Sequence, residues 1–230
     1  MSIFKTAAQG LFILCLPVLL LSASLAVAAN CPWLYRHGFD KYGVGQTTGL
    51  ADTDLEKVIG RIIGYFNSGE EDISIIVEKG GQPFVLFNER EVAHMRDVKG
   101  LIRLDYYLLL GTLIGTITFT ALCLFLWRDR RRLAWGLFGG GALTLALMAV
   151  LGIVIALDFE DFFLRFHMLS FANEFWRLDP ARDYLIMLFP QGFWFDAALY
   201  CTVAAAAGAF VLGGVGWWLK TKGKSKTDVW

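Results

Sequence analysis

The sequence predicts a mainly α membrane protein: a four-transmembrane-helix bundle with a small extracytoplasmic α+β domain and an interfacial helical segment. Three observations predict it. The 230 residues are 56% hydrophobic, with a mean hydropathy of +0.53, which exceeds the usual soluble domain. Four apolar runs, at 10–29, 106–127, 133–157 and 197–219, can each cross a hydrocarbon core of about 30 Å as a helix of about 20 residues. The intervening stretches 30–105 and 158–196 are polar enough to lie outside it.

The basic residues orient the chain. Lys5 precedes the first run, "RDRRR" (128–132) joins the second to the third, and Lys220, Lys222, Lys224 and Lys226 follow the fourth. The positive-inside rule puts these in the cytoplasm. Residues 128–132 are then a cytoplasmic loop and 220–230 a cytoplasmic tail, with 30–105 and 158–196 outside. The first run also resembles a signal peptide ending at Ala26-Val27-Ala28. Its length and Pro17 favour a retained span, an uncleaved signal anchor. No ionisable residue stands inside a span, which argues against an ion-coupled transporter. Gly111 and Gly115, Gly136 and Gly140, Ala204 and Gly208, and Ala209 and Gly213 are small residues four apart, the spacing that lets helix backbones approach closely. The formal net charge is zero, and nothing calls for a nucleic-acid partner. Cys15, Cys31, Cys123 and Cys201 form no metal or redox motif.

In 30–105, "TDLE" (53–56) reads as a capping box opening a helix that runs to about Asn67. Leu55, Val58, Ile59, Ile62, Ile63 and Phe66 lie on its apolar side. Two short apolar runs around Gly80-Gly81 predict a hairpin. "NERE" (88–91) is a second reciprocal cap, with Asn in place of Ser. Its helix carries "EVAHMRDVKG" toward the second span. In 158–196, Phe159, Phe162, Phe163 and Phe166 recur at spacings of three and four, as on a helix lying among lipid headgroups. Trp176, Tyr184 and Trp194 suit the same interface. Asp179-Pro180 reads as a turn with a helix start, and "YLIMLFP", too short to cross, as a partly buried or re-entrant piece.

The chain has three histidines. His94 shares a helix face with Glu91 and Asp97, so a carboxylate could orient its ring. His167 stands among aromatics near Asn173, Trp176 and Asp179. His37 sits in a loop without a partner carboxylate. Taken alone, these residues leave a structural role, acid–base work and metal ligation all open. Ser170, three residues from His167, and Cys31 are weaker candidates as nucleophiles.

Two blocks narrow the choice. "EREVAHMRDVKGLI" (89–102) and "FHMLSFANEFWRLDPARDYLIMLFPQGFWFD" (166–196) resemble the signature blocks of the lipoprotein intramolecular transacylases, a family of bacterial membrane proteins. The four-span plan with an outer domain between spans one and two is also similar. The resemblance implies a bacterial cytoplasmic-membrane enzyme with its active site on the extracytoplasmic face. Its substrates would be diacylglyceryl-modified lipoproteins held among membrane lipids. The sn-2 acyl chain would move to the α-amino group of the same N-terminal cysteine, giving the lyso form. By motif, the family's two functional histidines fall on His94 and His167. Asp97, Glu91, Asn173, Trp176 and Asp179 would support them or position the substrate, and neither cofactor nor metal is expected. A non-catalytic lipid or lipopeptide binder and a lipid or lipoprotein ester hydrolase are the rival readings.

Overall fold

The computed structural model describes residues 2–224 of the chain. Residues 225–230, with Lys226 of the basic tail, lie outside the described residues. The elements in chain order are α1 (Ser2–Ala29), α2 (Pro32–Lys41), α3 (Val44–Thr48), α4 (Asp52–Phe66), β1 (Ile76–Lys79), β2 (Gln82–Val85), α5 (Glu89–Ala121, continued by a π-helical stretch Leu122–Leu126), α6 (Arg130–Leu157), α7 (Phe159–Ser170), α8 (Tyr184–Leu188) and α9 (Gln191–Lys224). Among the described residues, α1, α5, α6 and α9 are long and apolar enough to cross a membrane. The chain is a multi-pass membrane protein with a largely helical fold and one small antiparallel sheet. The spanning helices run past the apolar runs that announce them. α5 and its π-helical end total 38 residues, about 57 Å at 1.5 Å per residue. That is nearly twice the hydrocarbon thickness. A helix of this length has to extend beyond the hydrocarbon.

The chain folds as two compact units. The first holds the spanning parts of the four long helices. Glycine governs its packing. A Cβ on Gly136 would meet Phe12 at 2.9 Å, one on Gly140 would run into Leu16, and one on Gly208 would meet Leu20 at 2.9 Å. At Gly141 the obstacle is backbone: Ala209 O and the Gly213 Cα, both 2.8 Å away. The expected small-residue contacts are thus made by α6 and α9. Gly111 and Gly115 differ, since a Cβ on either meets nothing within 4 Å. Phe12 stacks on Phe119 (4.4 Å between ring centres) and packs with Leu16, Cys123 and Leu133. After the π-helical stretch the chain turns at Arg128 in the left-handed region (φ 51°).

The second unit, Ala26–Leu104 with Ile155–Ala198, has an ordinary apolar core. Val58, Ile62 and Tyr65 of α4, Val77 of β1, Leu86 and Leu188 of α8 are all almost fully enclosed. The hairpin pairs Ile76 with Val85 and Lys79 with Gln82. Gly80 and Gly81, at φ 61° and 75°, form the turn, whose two positive φ angles suit glycine. "NERE" caps α5 as the sequence suggests. Asn88 N donates to Glu91 Oε2 (2.8 Å), and Glu91 N donates to Asn88 Oδ1 (3.1 Å).

Two local expectations are corrected and a third is resolved. "TDLE" is no capping box: α4 begins at Asp52 behind Ala51, without a side-chain cap. Thr53 already lies inside the helix, and Glu56 pairs with Arg36 at 2.6 Å. Asp52 and Asp54 in the first turn supply the negative charge that a helix N-terminus favours. Asp179-Pro180 forms a turn, closed by Arg182 N to Asp179 O (3.0 Å), but no helix starts there; α8 follows Asp183 instead. Of the two readings of "YLIMLFP", the partly buried one is found: Leu185, Leu188 and Phe189 pack into the same core as α4.

Candidate active site: a buried histidine pair

His94 lies in the second turn of α5, just past the Asn88 cap. His167 lies in the last turn of α7, whose N-terminus is capped by the Asp158 side chain accepting from Asp161 N at 3.0 Å. Although 73 positions apart in sequence, the two rings stand 6.0 Å apart between centres, inclined at 34°. Both side chains are buried. Phe171 closes on both, 5.0 Å from His94 and 5.5 Å from His167. Phe163 (4.3 Å) and Trp176 (5.1 Å) flank His167.

The nitrogens are not equivalent. His167 Nδ1 lies 2.8 Å from Phe163 O. A carbonyl can only accept, so Nδ1 carries the hydrogen, and Nε2 is left with its lone pair. Burial holds the His167 imidazole below its ordinary pKa, while the Phe163 bond works the other way. Burial pushes His94 down from 6.5 to about 4, with His167 adding to the fall and Asp97 opposing it. Burial therefore favours the neutral form of both rings. His94 Nδ1 is buried without a hydrogen-bond partner among the described residues. A buried polar atom left unpaired is costly and marks a position where a ligand group could bond.

The supporting residues fall into two groups. Asp97 and Asn173 join each other: Asn173 Nδ2 donates to Asp97 Oδ2 at 2.8 Å. This ties the α5 segment to the chain after α7. Asp97 reaches His94 through its charge and makes no hydrogen bond to it among the described residues. Glu91 does not orient His94 either. Its carboxylate is buried and accepts from Asn88 N (2.8 Å) and from Leu185 N (2.6 Å), pinning the start of α5 to the start of α8. Asp179 belongs to this second group, donating its N–H to Asp183 Oδ2 (2.7 Å). Asp183 also accepts from Asn88 Nδ2 at 2.9 Å.

Sequence reasoning missed Asp183 and Phe171 as site residues and placed Phe163 only in the interfacial aromatic stripe. Asp183 had one local signal, its place just before a short helix. His37, expected in a loop, lies instead in α2 and stacks on Trp33 (5.2 Å), with no ring contact to the pair among the described residues. Ser170 ends α7 and makes no hydrogen bond to His167 among the described residues. Cys31 precedes α2 at the N-cap position. Among the described residues, no three His, Cys, Asp or Glu side chains gather as a metal site would require.

A family model for the lipoprotein intramolecular transacylase Lit matches residues 10–194, which include both histidines. The chain belongs to the lipoprotein intramolecular transacylase family. An acyltransferase role goes with the family. An Aquifex aeolicus protein described only as uncharacterised is 29% identical over 189 residues, 80% of each chain. The fold matches the membrane-integral transacylase Lit of Bacillus cereus with a TM-score of 0.84, at 19% identity, covering 98% of this chain and 100% of that one. A variant of that protein with one histidine replaced by alanine matches with a TM-score of 0.79, at 19% identity and 97% coverage of both chains.

Proposed function

We propose that this protein moves the sn-2 acyl chain of a diacylglyceryl-cysteine lipoprotein to the α-amino group of the same cysteine, yielding the lyso form. The reaction takes place at the extracytoplasmic face of a bacterial cytoplasmic membrane. The observation that carries this reading is the pair of buried imidazoles 6.0 Å apart in a member of this transacylase family. The α-amino group has a pKa of about 8 and is mostly protonated at neutral pH, so it must lose a proton before it attacks an ester. Water takes that first proton, and His167 Nε2 takes a second from the same nitrogen as it bonds to the carbonyl carbon. The amine nitrogen bonds to the ester carbonyl carbon, and the oxyanion that forms accepts a hydrogen bond from a neutral His94 N–H. The carbon–oxygen bond to glycerol then breaks, and His167 returns the proton to the glycerol oxygen. One ester becomes one amide, and no water, cofactor or acyl-enzyme is consumed or formed. Donor and acceptor belong to one molecule, so holding them in place supplies much of the rate. Asp97, Asn173 and Trp176 set the two rings, and Glu91 and Asp179 fix the elements that carry them.

Fragment-ion mass spectrometry of N-terminal lipopeptides from cells with and without the protein tests this. Transfer leaves the mass of the diacyl form unchanged and moves one acyl chain to nitrogen. A mass lower by one acyl group would instead mark a hydrolase, and unchanged fragments a binder.

A further inference from the structure

Beside the histidine pair the second unit opens a groove of about 840 Å³, lined by Asn88, Glu89, Arg90, Ala93, Glu174 and Phe175. That volume is in the range of sites that take a small ligand or a short chain segment. The segments that build the active site also wall the groove. Ala93 is next to His94 in sequence, and Phe175 is next to Trp176, whose ring lies against His167. Asn173 Oδ1 accepts from Phe175 N at 3.0 Å while its Nδ2 holds Asp97, so one side chain serves both the site and the groove wall.

The lining is polar and mixed in charge. Arg90 Nη2 donates to Glu174 O at 2.8 Å. That occupies one of five guanidinium hydrogens, and Arg90 has no carboxylate partner among the described residues. Glu89 has no hydrogen-bond or ion-pair partner among them either, while Glu174 faces Arg177 at 3.5 Å. The groove therefore offers an unpaired guanidinium and an unpaired carboxylate side by side. An extended peptide main chain presents matching carbonyls and N–H groups. A lipid phosphate would meet Arg90 but be repelled by Glu89.

Resting on the reaction proposed above, we infer that this groove seats the first residues of the polypeptide that follow the lipidated cysteine, with Arg90 as a positioning residue that donates to their main-chain carbonyls. The lipidated cysteine is the first residue of its protein, so only one peptide strand has to leave the site.

The test uses the full-length enzyme in lipid nanodiscs and two substrates: a diacylglyceryl-cysteine amide, and a diacylglyceryl-cysteine pentapeptide of neutral sequence. The wild type should have a kcat/KM about tenfold higher for the pentapeptide, expressed in KM, as one charge-assisted hydrogen bond would give. Arg90→Ala, and separately Ala93→Trp to fill the groove, should bring the ratio of the two kcat/KM values to about one. Arg90→Lys should recover part of it. A general loss of fold would lower both values together and leave the ratio at about ten, so the ratio separates positioning from stability. A wild-type ratio near one, or a ratio unmoved by both variants, overturns the inference. So does an Arg90→Ala effect that is equal for both substrates and scales with anionic lipid, which would make the groove a headgroup site. If the wild type turns over neither substrate, the reaction assignment falls, and the groove's role falls with it.

Discussion

Acid should destabilise this protein through one residue more than any other. The His94 imidazole falls from 6.5 to about 4 on folding. Between those values the unfolded chain binds a proton that the folded chain refuses, so stability is full above pH 6.5 and is lost progressively as pH falls toward 4. Each pKa unit is worth about 1.4 kcal/mol, so the shift predicts a loss of about 3 kcal/mol from His94. For a chain of this size that is on the order of 6–12 °C in Tm. Thermal unfolding of the purified protein at pH 7 and pH 4, beside His94→Gln, isolates the contribution. The variant should lose less stability than the wild type by about that amount, each measured against its own value at pH 7. The ring-carbon resonances of His94 give its titration directly, with a midpoint at about 4. A His94 midpoint at or above 6.5, or equal acid losses in both proteins, would refute the claim that burial keeps this ring neutral. The donor role assigned to it would go as well.

His94→Ala and His167→Ala should each abolish lyso-lipoprotein formation, read by lipopeptide mass spectrometry, while the protein still accumulates in the membrane. His37→Ala, Ser170→Ala and Cys31→Ala should keep most of the activity; loss at Ser170 or Cys31 would point to an acyl-enzyme. Glu91→Ala strands Asn88 N and Leu185 N at about 1–3 kcal/mol each, so Tm should fall clearly, and a drop of only a degree or two would show that the clamp contributes little. Gly141→Leu drives a side chain into the backbone of α9 at Ala209 and Gly213, at a cost of about 1–3 kcal/mol or more, whereas Gly111→Leu, with open space around it, should leave Tm within about 1 °C. In a background without native cysteines, a cysteine at Gln82 should be labelled from outside intact cells and one at Arg130 should not. The opposite pattern would reverse the orientation drawn from the lysines and arginines.

What could be read in advance was what local physics encodes. Four apolar runs, the Gly80-Gly81 turn and the Asn88–Glu91 cap each depend on residues within a few positions, and each took the expected form. "TDLE" carried the same local pattern as "NERE" and failed. Glu56 had an alternative partner in Arg36, twenty residues away, while Glu91 found its second partner in Leu185 N. Nothing local separates the two cases. "YLIML" is apolar whether it faces lipid or a protein core, and only the shared core that the distant elements build around it decides. Both histidines stood out through the two sequence blocks. Their partners did not, because Asn173 to Asp97 and Asp183 to Asn88 bridge 76 and 95 positions.

Those long bridges bear on how the protein is made. His94 leaves the ribosome 73 residues before His167, a gap of about 4–15 s at ordinary synthesis rates. Through that interval, with two further spans still to be inserted, α4 and the hairpin lack Leu185, Leu188 and Phe189, which complete their core. The nascent second unit must wait with apolar surface uncovered, and neither imidazole can become buried against the other. The proposed active site therefore assembles late in synthesis, after α7 and α8 have emerged. A chain truncated after α6 would carry His94 to the membrane with no site around it.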